Sequence, residues 1–270
     1  MILRCLPEFV EEIWGDESLA QIYGRSGKIG EVWLCSNYPG HETSLVNEKG
    51  EVTDWSYVNE KWGFDRFPFL VKHIYSANWL SVQVHPNDEM AKRVGEPWGK
   101  PEMWYFLKGG KIINGLNPGA LEKLKSGSRS WESLLHFTTV KAGEAMYISP
   151  GTVHAMGPGI EVYEFQLTSD MTYRFYDWGR KRKTHFKEAL EAAREVIAKP
   201  FILKDFSTPY FTVQMLENYG TLSVKKNTVY LAETGEFANE EFHVPTAFVS
   251  MDYGEKLHVK GRVFEMEVPR

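Results

Sequence analysis

Residues 81–106 read SVQVHPNDEMAKRVGEPWGKPEMWYF and set a Gln-Val-His triplet and a Lys-Pro-Glu triplet on either side of a polar, helix-like interlude. Successive side chains of a strand point to opposite faces, so Gln83 and His85 share one face while Val82 and Val84 share the other. The same parity puts Lys100 beside Glu102. An ordinary half-wet strand alternates in this way too, so what the polar face looks onto has to be decided by the rest of the chain.

Outside this stretch, short alternating or apolar runs (KIGEVWLCS, FPFLVKHIY, EAMYIS, IEVYEFQL, TYRFYDW) are separated by Gly, Pro, Asn and Asp clusters. That rhythm predicts an all-β sandwich or barrel. Helical periodicity is confined to NDEMAKRVG, to SWESLLHF and, most strongly, to HFKEALEAAREVIAK from His185 to Lys199, which Pro200 ends. The expected organisation is a main domain over 1–199 with helical insertions, then a smaller β unit over 200–270 built from runs such as YFTVQML, TVYLAE and RVFEMEV.

The 270 residues are ample for a buried core, and 43% hydrophobic with 25% charged residues is a globular composition. A net charge of -5 with one basic cluster, Arg180 to Lys183 in GRKRKTH, argues against a nucleic-acid partner. That cluster is expected to start a helix or line a small anionic site. Cys5 and Cys35 form neither a disulfide framework nor a metal-site spacing, which fits a reducing, cytoplasmic compartment. MILRCLPEFVEEIWG carries acids where a signal peptide needs an apolar core, and no apolar stretch reaches membrane-spanning length, so no membrane association is expected.

The residue types on the polar face suit a metal. GEAMYISPGTVH delivers His154 just after a Pro-Gly turn, and Gln83, His85, Glu102 and His154 are all competent ligands. Two neutral imidazoles, an amide oxygen and one carboxylate would leave a zinc ion net positive, with room for water or substrate, whereas structural zinc sites are closed and cysteine-rich. A lone His is more often an ordinary core or surface residue, and His41, His73, His136, His185, His243 and His258 are left in that class. For His85 and His154, spacing by itself leaves both readings open.

The wider pattern is more specific. QVH, then Glu102-x6-Gly109, then Gly143-x6-Pro150-Gly151-x2-His154 resembles the two cupin motifs, with Gln in place of the first His and a helical insertion between His85 and Glu102. That implies a cupin jelly-roll barrel with its metal inside the mouth, followed by a smaller jelly-roll-like unit. More narrowly, FPFLVK, LSVQVHP, GKPEMWY, SPGTVHAM and SDMTYRFYDWGR resemble, in order from about Ile13 to Arg180, the motifs of the type I mannose-6-phosphate isomerases, in particular the short bacterial form. The early IGEVWLCS departs from the family in carrying Leu34 where Glu is usual.

The resemblance implies one zinc per chain on Gln83, His85, Glu102 and His154, active-site lysines at Lys72 and Lys100, an acid at Asp170, a catalytic arginine at Arg174, a second cation at Arg180, and a phosphate-associated serine at Ser81. Glu164, on the same face as Val162 and Gln166, is a candidate to orient a ligand from behind or to contact substrate. The implied reaction interconverts mannose 6-phosphate and fructose 6-phosphate through a cis-enediol, with Lys100, His85 or Asp170 moving the proton and Lys72, Arg174, Arg180 and Ser81 holding the phosphate. The implied state is a cytoplasmic monomer or homodimer with a small sugar phosphate as partner. Two other readings are a cupin metalloenzyme of another class, such as an iron oxygenase, and a non-catalytic sugar-binding cupin. The cationic rim speaks against the first and the intact ligand set against the second.

Overall fold

The computed structural model describes residues 1–269. A seven-stranded antiparallel sheet runs, in spatial order, through Pro200–Ile202, Glu144–Ile148, Glu102–Lys108, Ile160–Leu167, Phe69–Ser76, Ile29–Cys35 and Glu8–Asp16. Facing it is a second wall made of Leu135–Val140, Gly110–Leu116 and Ala155–Met156, continued by the pair Tyr173–Tyr176 and Val82–Val84. A bridge between Gln83 and His154 joins the two parts of that wall. Trp104, Phe106, Ile74, Ile112, Met156 and Val162 fill the space between the walls, so the expected all-β, cupin-type jelly roll is what the chain forms.

Parity decides what each face of the large sheet meets. Met103, Tyr105, Tyr163 and Phe165 point away from the barrel into an apolar layer shared with Phe211, Val229, Val249 and Phe264 of a ten-stranded sheet. Their neighbours Glu102, Trp104, Glu164 and Gln166 point inward. Both faces are therefore buried, and the polar positions of Glu102–Lys108 and Ile160–Leu167 look into the barrel rather than onto solvent.

Sheet pairing crosses position 200 in both directions. Ile2–Leu6 pairs with Thr246–Ser250 inside the ten-stranded sheet, while Pro200–Ile202 pairs with Glu144–Met146 at the edge of the seven-stranded one. The helix expected over 185–199 stops early, at Phe186–Ala192, because tertiary pairing captures the rest. Arg194 N donates to Gly151 O at 2.8 Å and Ala198 N to Asn114 O at 2.8 Å, so the chain lies along the Gly151–Thr152 turn in an extended form. The other two helical expectations appear as Asp88–Lys92 and the single turn Trp131–Leu134. No helix among the described residues is long and apolar enough to cross a membrane.

The interlude between Gln83 and Glu102 is pinned so that its two ends meet. Asn87 caps the short helix by accepting from Met90 N at 3.0 Å, Asp88 accepts from Gly99 N at 2.9 Å, and Lys100 N donates to Pro86 O at 3.1 Å. Gly99 passes so close to Pro86 that a β-carbon there would overlap its carbonyl oxygen. Gly99→Ala is accordingly expected to lose about 1–3 kcal/mol of stability, as for other overpacked positions, read from urea unfolding midpoints.

Candidate active site

Three chain segments converge at one point of the barrel interior. Gln83 and His154 face each other through paired backbone bonds, Gln83 N to His154 O at 3.1 Å and His154 N to Gln83 O at 2.9 Å. His85 follows two residues after Gln83, and the pinned interlude returns the chain at Lys100 to enter the strand that begins at Glu102. His85, Glu102 and His154 are 1%, 0% and 0% exposed, and their candidate ligand atoms all lie within 4.8 Å of one another.

Hydrogen bonding fixes the tautomers. His85 Nδ1–H donates to Met171 O and His154 Nδ1–H to Thr152 O, each at 2.9 Å, which turns both Nε2 lone pairs toward Glu102, 3.1 Å from its Oε2 and 3.3 Å from its Oε1. Both rings are held neutral: burial, then Lys100, takes His85 down to about 3, and burial lowers His154 against the pull of Glu102. Glu102 stays ionised: burial opposes its charge, but Lys100 with His85 and His154 together hold it well below the usual carboxylate range. Its Oε1 has no hydrogen-bond partner.

Lone pairs converging on a buried carboxylate with an orphan oxygen form an acceptor set that a cation would satisfy, and two imidazoles with one carboxylate are a donor chemistry suited to zinc. Gln83 lies beside the set. Its Nε2 lies 3.4 Å from His154 Nε2 while its Oε1 accepts from Ser81 Oγ at 3.0 Å, and turning the amide by 180° aims the oxygen at the same point while keeping a bond to Ser81.

A cavity of about 210 Å³ opens beside this cluster. Lys100 lies at its inner end, its Nζ donating to Glu102 Oε2 at 2.8 Å and to His85 Nε2 at 3.2 Å, and it stays charged because Glu102, then Glu164, outweigh its burial. Lys72 is fully enclosed: its Nζ is 2.8 Å from Glu31 Oε2, 3.8 Å from Glu164 Oε1 and 4.4 Å from the centre of the Trp33 ring. Glu164 accepts from Trp104 Nε1 at 2.8 Å, and burial together with the Glu102 charge pushes it up to about 7. Ser81, Asp170 and Arg174 also line the cavity. Among the described residues neither Asp170 nor Arg174 has an ion-pair partner, and Arg174 Nε is buried without a hydrogen bond.

One expectation needs correction. Arg180 does not line the cavity. Residues Trp178 and Gly179, with φ of 56° and 79°, turn the chain back so that Arg180 Nε donates to Asp177 Oδ1 at 3.1 Å. Arg182 takes the cavity position: its Nε and Nη2 bind the two oxygens of Asp177 at 2.9 and 3.0 Å, and its Nη1 reaches Glu12 Oε2 at 3.2 Å. The GRKRKTH cluster carried that signal, without showing which cation would point inward.

Glu12 and Glu31 line the cavity as well and escaped the sequence reading. Glu31 shares parity with Trp33 in KIGEVWLCS, which was a usable signal, whereas Glu12 lies in an irregular strand with register shifts at Val10/Glu11 and Glu11/Asp16 that parity does not reach. His41 also lines the wall, paired with Glu8 at 2.7 Å.

Fold and site together define a cupin-type jelly-roll protein with a candidate metal centre in the barrel mouth. No family model matches the chain. It is 32% identical over 255 residues to the mannose-6-phosphate isomerase of Streptococcus mutans, covering 82% of this chain and 80% of that one. Its structure is similar to that of the mannose 6-phosphate isomerase from Bacillus subtilis, with a TM-score of 0.83 at 24% identity over 99% of both chains. It is also similar to a zinc-bound mannose 6-phosphate isomerase, with a TM-score of 0.74 at 16% identity over 100% of both. The chain belongs to the mannose-6-phosphate isomerase family, enzymes of the aldose-ketose isomerase type.

Zinc titration of chelator-treated protein is expected to saturate at one ion per chain. His154→Ala is expected to weaken zinc binding by more than the ~10- to 100-fold loss typical of an outer-shell partner, measured by competition with a chromophoric chelator.

Proposed function

We propose that the protein interconverts mannose 6-phosphate and fructose 6-phosphate, with one zinc ion held by Gln83, His85, Glu102 and His154. The observation that carries this reading is the placing of a metal-type donor set at the inner end of a cavity whose wall also presents Lys72, Lys100, Arg174 and Arg182. A small polyhydroxylated anion suits such a wall, and oxygen activation has no use for it. The zinc-bound relative supports the choice of ion.

The reaction moves a proton between C1 and C2 through a cis-enediol, so one group must carry the proton and others must stabilise charge on the two oxygens. Zinc, when bound, supplies Lewis-acid polarisation of the substrate oxygens. Lys100, held charged at the inner end, donates to those oxygens rather than acting as base. Of the remaining candidates, His85 has Nδ1 committed to Met171 and Nε2 turned toward Glu102, whereas Asp170 is a cavity carboxylate without an ion-pair partner among the described residues. Asp170 therefore carries the proton, and Arg174, whose Nε is unpaired, stabilises the developing charge or the phosphate. Arg182 holds the phosphate from the far side with Ser81 near the ligands, and Lys72 acts through Glu31 and Glu164 instead of touching substrate.

Purified protein assayed for fructose 6-phosphate formation is expected to lose turnover on chelation and regain it with zinc; inactivity at full zinc occupancy would sink the reading. Arg174→Ala is expected to lower kcat by about 100-fold or more, in the range of a lost transition-state donor, with zinc content unchanged. Arg182→Ala should raise KM for the phosphate ester while Arg180→Ala leaves it near the parent value, which a pair of saturation curves decides.

A further inference from the structure

The cavity carboxylates differ in what their oxygens are doing. Glu102 belongs to the ligand cluster, Glu12 is tied to Arg182, and Glu164 is enclosed between Trp104 and Lys72. Glu31 is different. Its Oε2 receives two donors, Lys72 Nζ at 2.8 Å and Trp33 Nε1 at 2.7 Å, which lock the orientation of the whole group. Its Oε1 has no hydrogen-bond partner among the described residues, and the side chain keeps 14% of its surface open on the cavity wall. The group is therefore a fixed acceptor with one oxygen spoken for and one presented to whatever fills the cavity. Burial opposes its charge, but Lys72, Trp33 and Lys100 together hold it below the usual carboxylate range.

Its place along the cavity selects what it meets. Across the large sheet Glu102, Glu164, Lys72, Glu31 and Glu12 lie on successive strands, so Glu31 sits between the ligand cluster on one side and the Glu12–Arg182 pair on the other. A six-carbon chain with its reacting carbons at the cluster and its phosphate toward Arg182 passes Glu31 with its middle carbons. A phosphate would be repelled there, and an ionised carboxylate oxygen only accepts, so the complementary group is a hydroxyl donor.

We infer that Glu31 is a specificity-determining residue that accepts a hydrogen bond from the C3 or C4 hydroxyl of the sugar phosphate. The inference rests on the isomerase reading and adds to it a contact away from both the reacting carbons and the phosphate. Because the acceptor is preorganised, a substrate lacking the hydroxyl leaves one oxygen of a desolvated carboxylate without a donor, and a variant lacking the charge loses a bond that the correct sugar would make.

The test compares kcat/KM for mannose 6-phosphate and its 3-deoxy and 4-deoxy analogues in the zinc-loaded wild type and in Glu31→Gln, with zinc content and thermal midpoint recorded. The wild type is expected to lose about 10- to 100-fold on one of the analogues, and Glu31→Gln to lose a similar factor on mannose 6-phosphate, while the two proteins converge on that analogue. A merely structural role would lower all three substrates together, and that outcome, or no loss on any, overturns the inference. Should Glu31→Gln fail to fold, Glu31→Asp decides the matter, since it keeps the charge beside Lys72 and withdraws the oxygens by one methylene: selective loss supports the contact, uniform or absent loss overturns it. A zinc-loaded wild type without mannose 6-phosphate turnover overturns the isomerase reading itself and this contact with it, an outcome distinct from an active enzyme whose variant loses rate evenly.

Discussion

An ionised carboxylate with no access to water is the constraint around which the barrel mouth is built. Glu102 is 0% exposed, and a lone buried charge of that kind would cost several kcal/mol or take up a proton. Lys100 lies against it, two neutral imidazoles turn their lone pairs toward it, and the same acceptors fit a divalent cation. Each supporting group is itself oriented by the backbone: the two Nδ1–H groups by carbonyls of Met171 and Thr152, and Lys100 by the pinned interlude that returns to Pro86. The Gly151–Thr152 turn that carries His154 is in turn clasped by Arg194, so the segment after the last helix serves the site although none of its side chains enters it.

The same constraint spreads sideways through the sheet. Trp104, Glu164, Lys72 and Trp33 occupy one register row across four adjacent strands, so that acid, cation and aromatic ring meet by strand pairing rather than by loop placement. Lys72 ties Glu31 on one side to Glu164 on the other. A row of charges facing inward is tolerable only if the opposite face of the same strands is firmly packed, and the ten-stranded sheet provides that packing through Phe211, Val229, Val249 and Phe264. That sheet, which supplies no residue to the cavity wall, thus bears on the site by keeping water from the back of its scaffold.

Parity made much of this readable in the sequence. Gln83 with His85, Lys100 with Glu102, and Glu164 with Gln166 follow from the two-residue period of a strand, and the turn before His154 follows from Pro-Gly. What was not readable lay where the period breaks or where pairing is non-local. Arg180 and Arg182 have the same parity in GRKRKTH, and only the left-handed turn at Trp178 and Gly179 decides that the first folds back onto Asp177 and the second reaches the cavity. The apolar pattern of EALEAAREVIAK looks helical to its end, but half of it is extended because Gly151 and Asn114 offer it backbone partners. The pairing of Ile2–Leu6 with Thr246–Ser250 joins the two ends of the chain, a separation that no local pattern records.

The uncommitted groups give the cavity a direction. At the cluster end the free atoms are acceptors, the histidine lone pairs and Glu102 Oε1; along the wall Glu31 presents a free Oε1; and on the strand paired with Gln83, Arg174 Nε is a donor without a partner. Asp170 aside, the other charges of the cavity are matched by neighbours, Lys72 by Glu31, Arg182 by Asp177 and Glu12, and Lys100 by Glu102. A symmetric or apolar ligand leaves those three sets unsatisfied, and each unsatisfied buried group carries a desolvation cost. With a cation seated in the cluster, a ligand that turns a hydroxyl donor to Glu31 and an anionic acceptor to Arg174 satisfies all three at once, so the cavity discriminates by which of its own groups remain unpaired as well as by the bonds it makes.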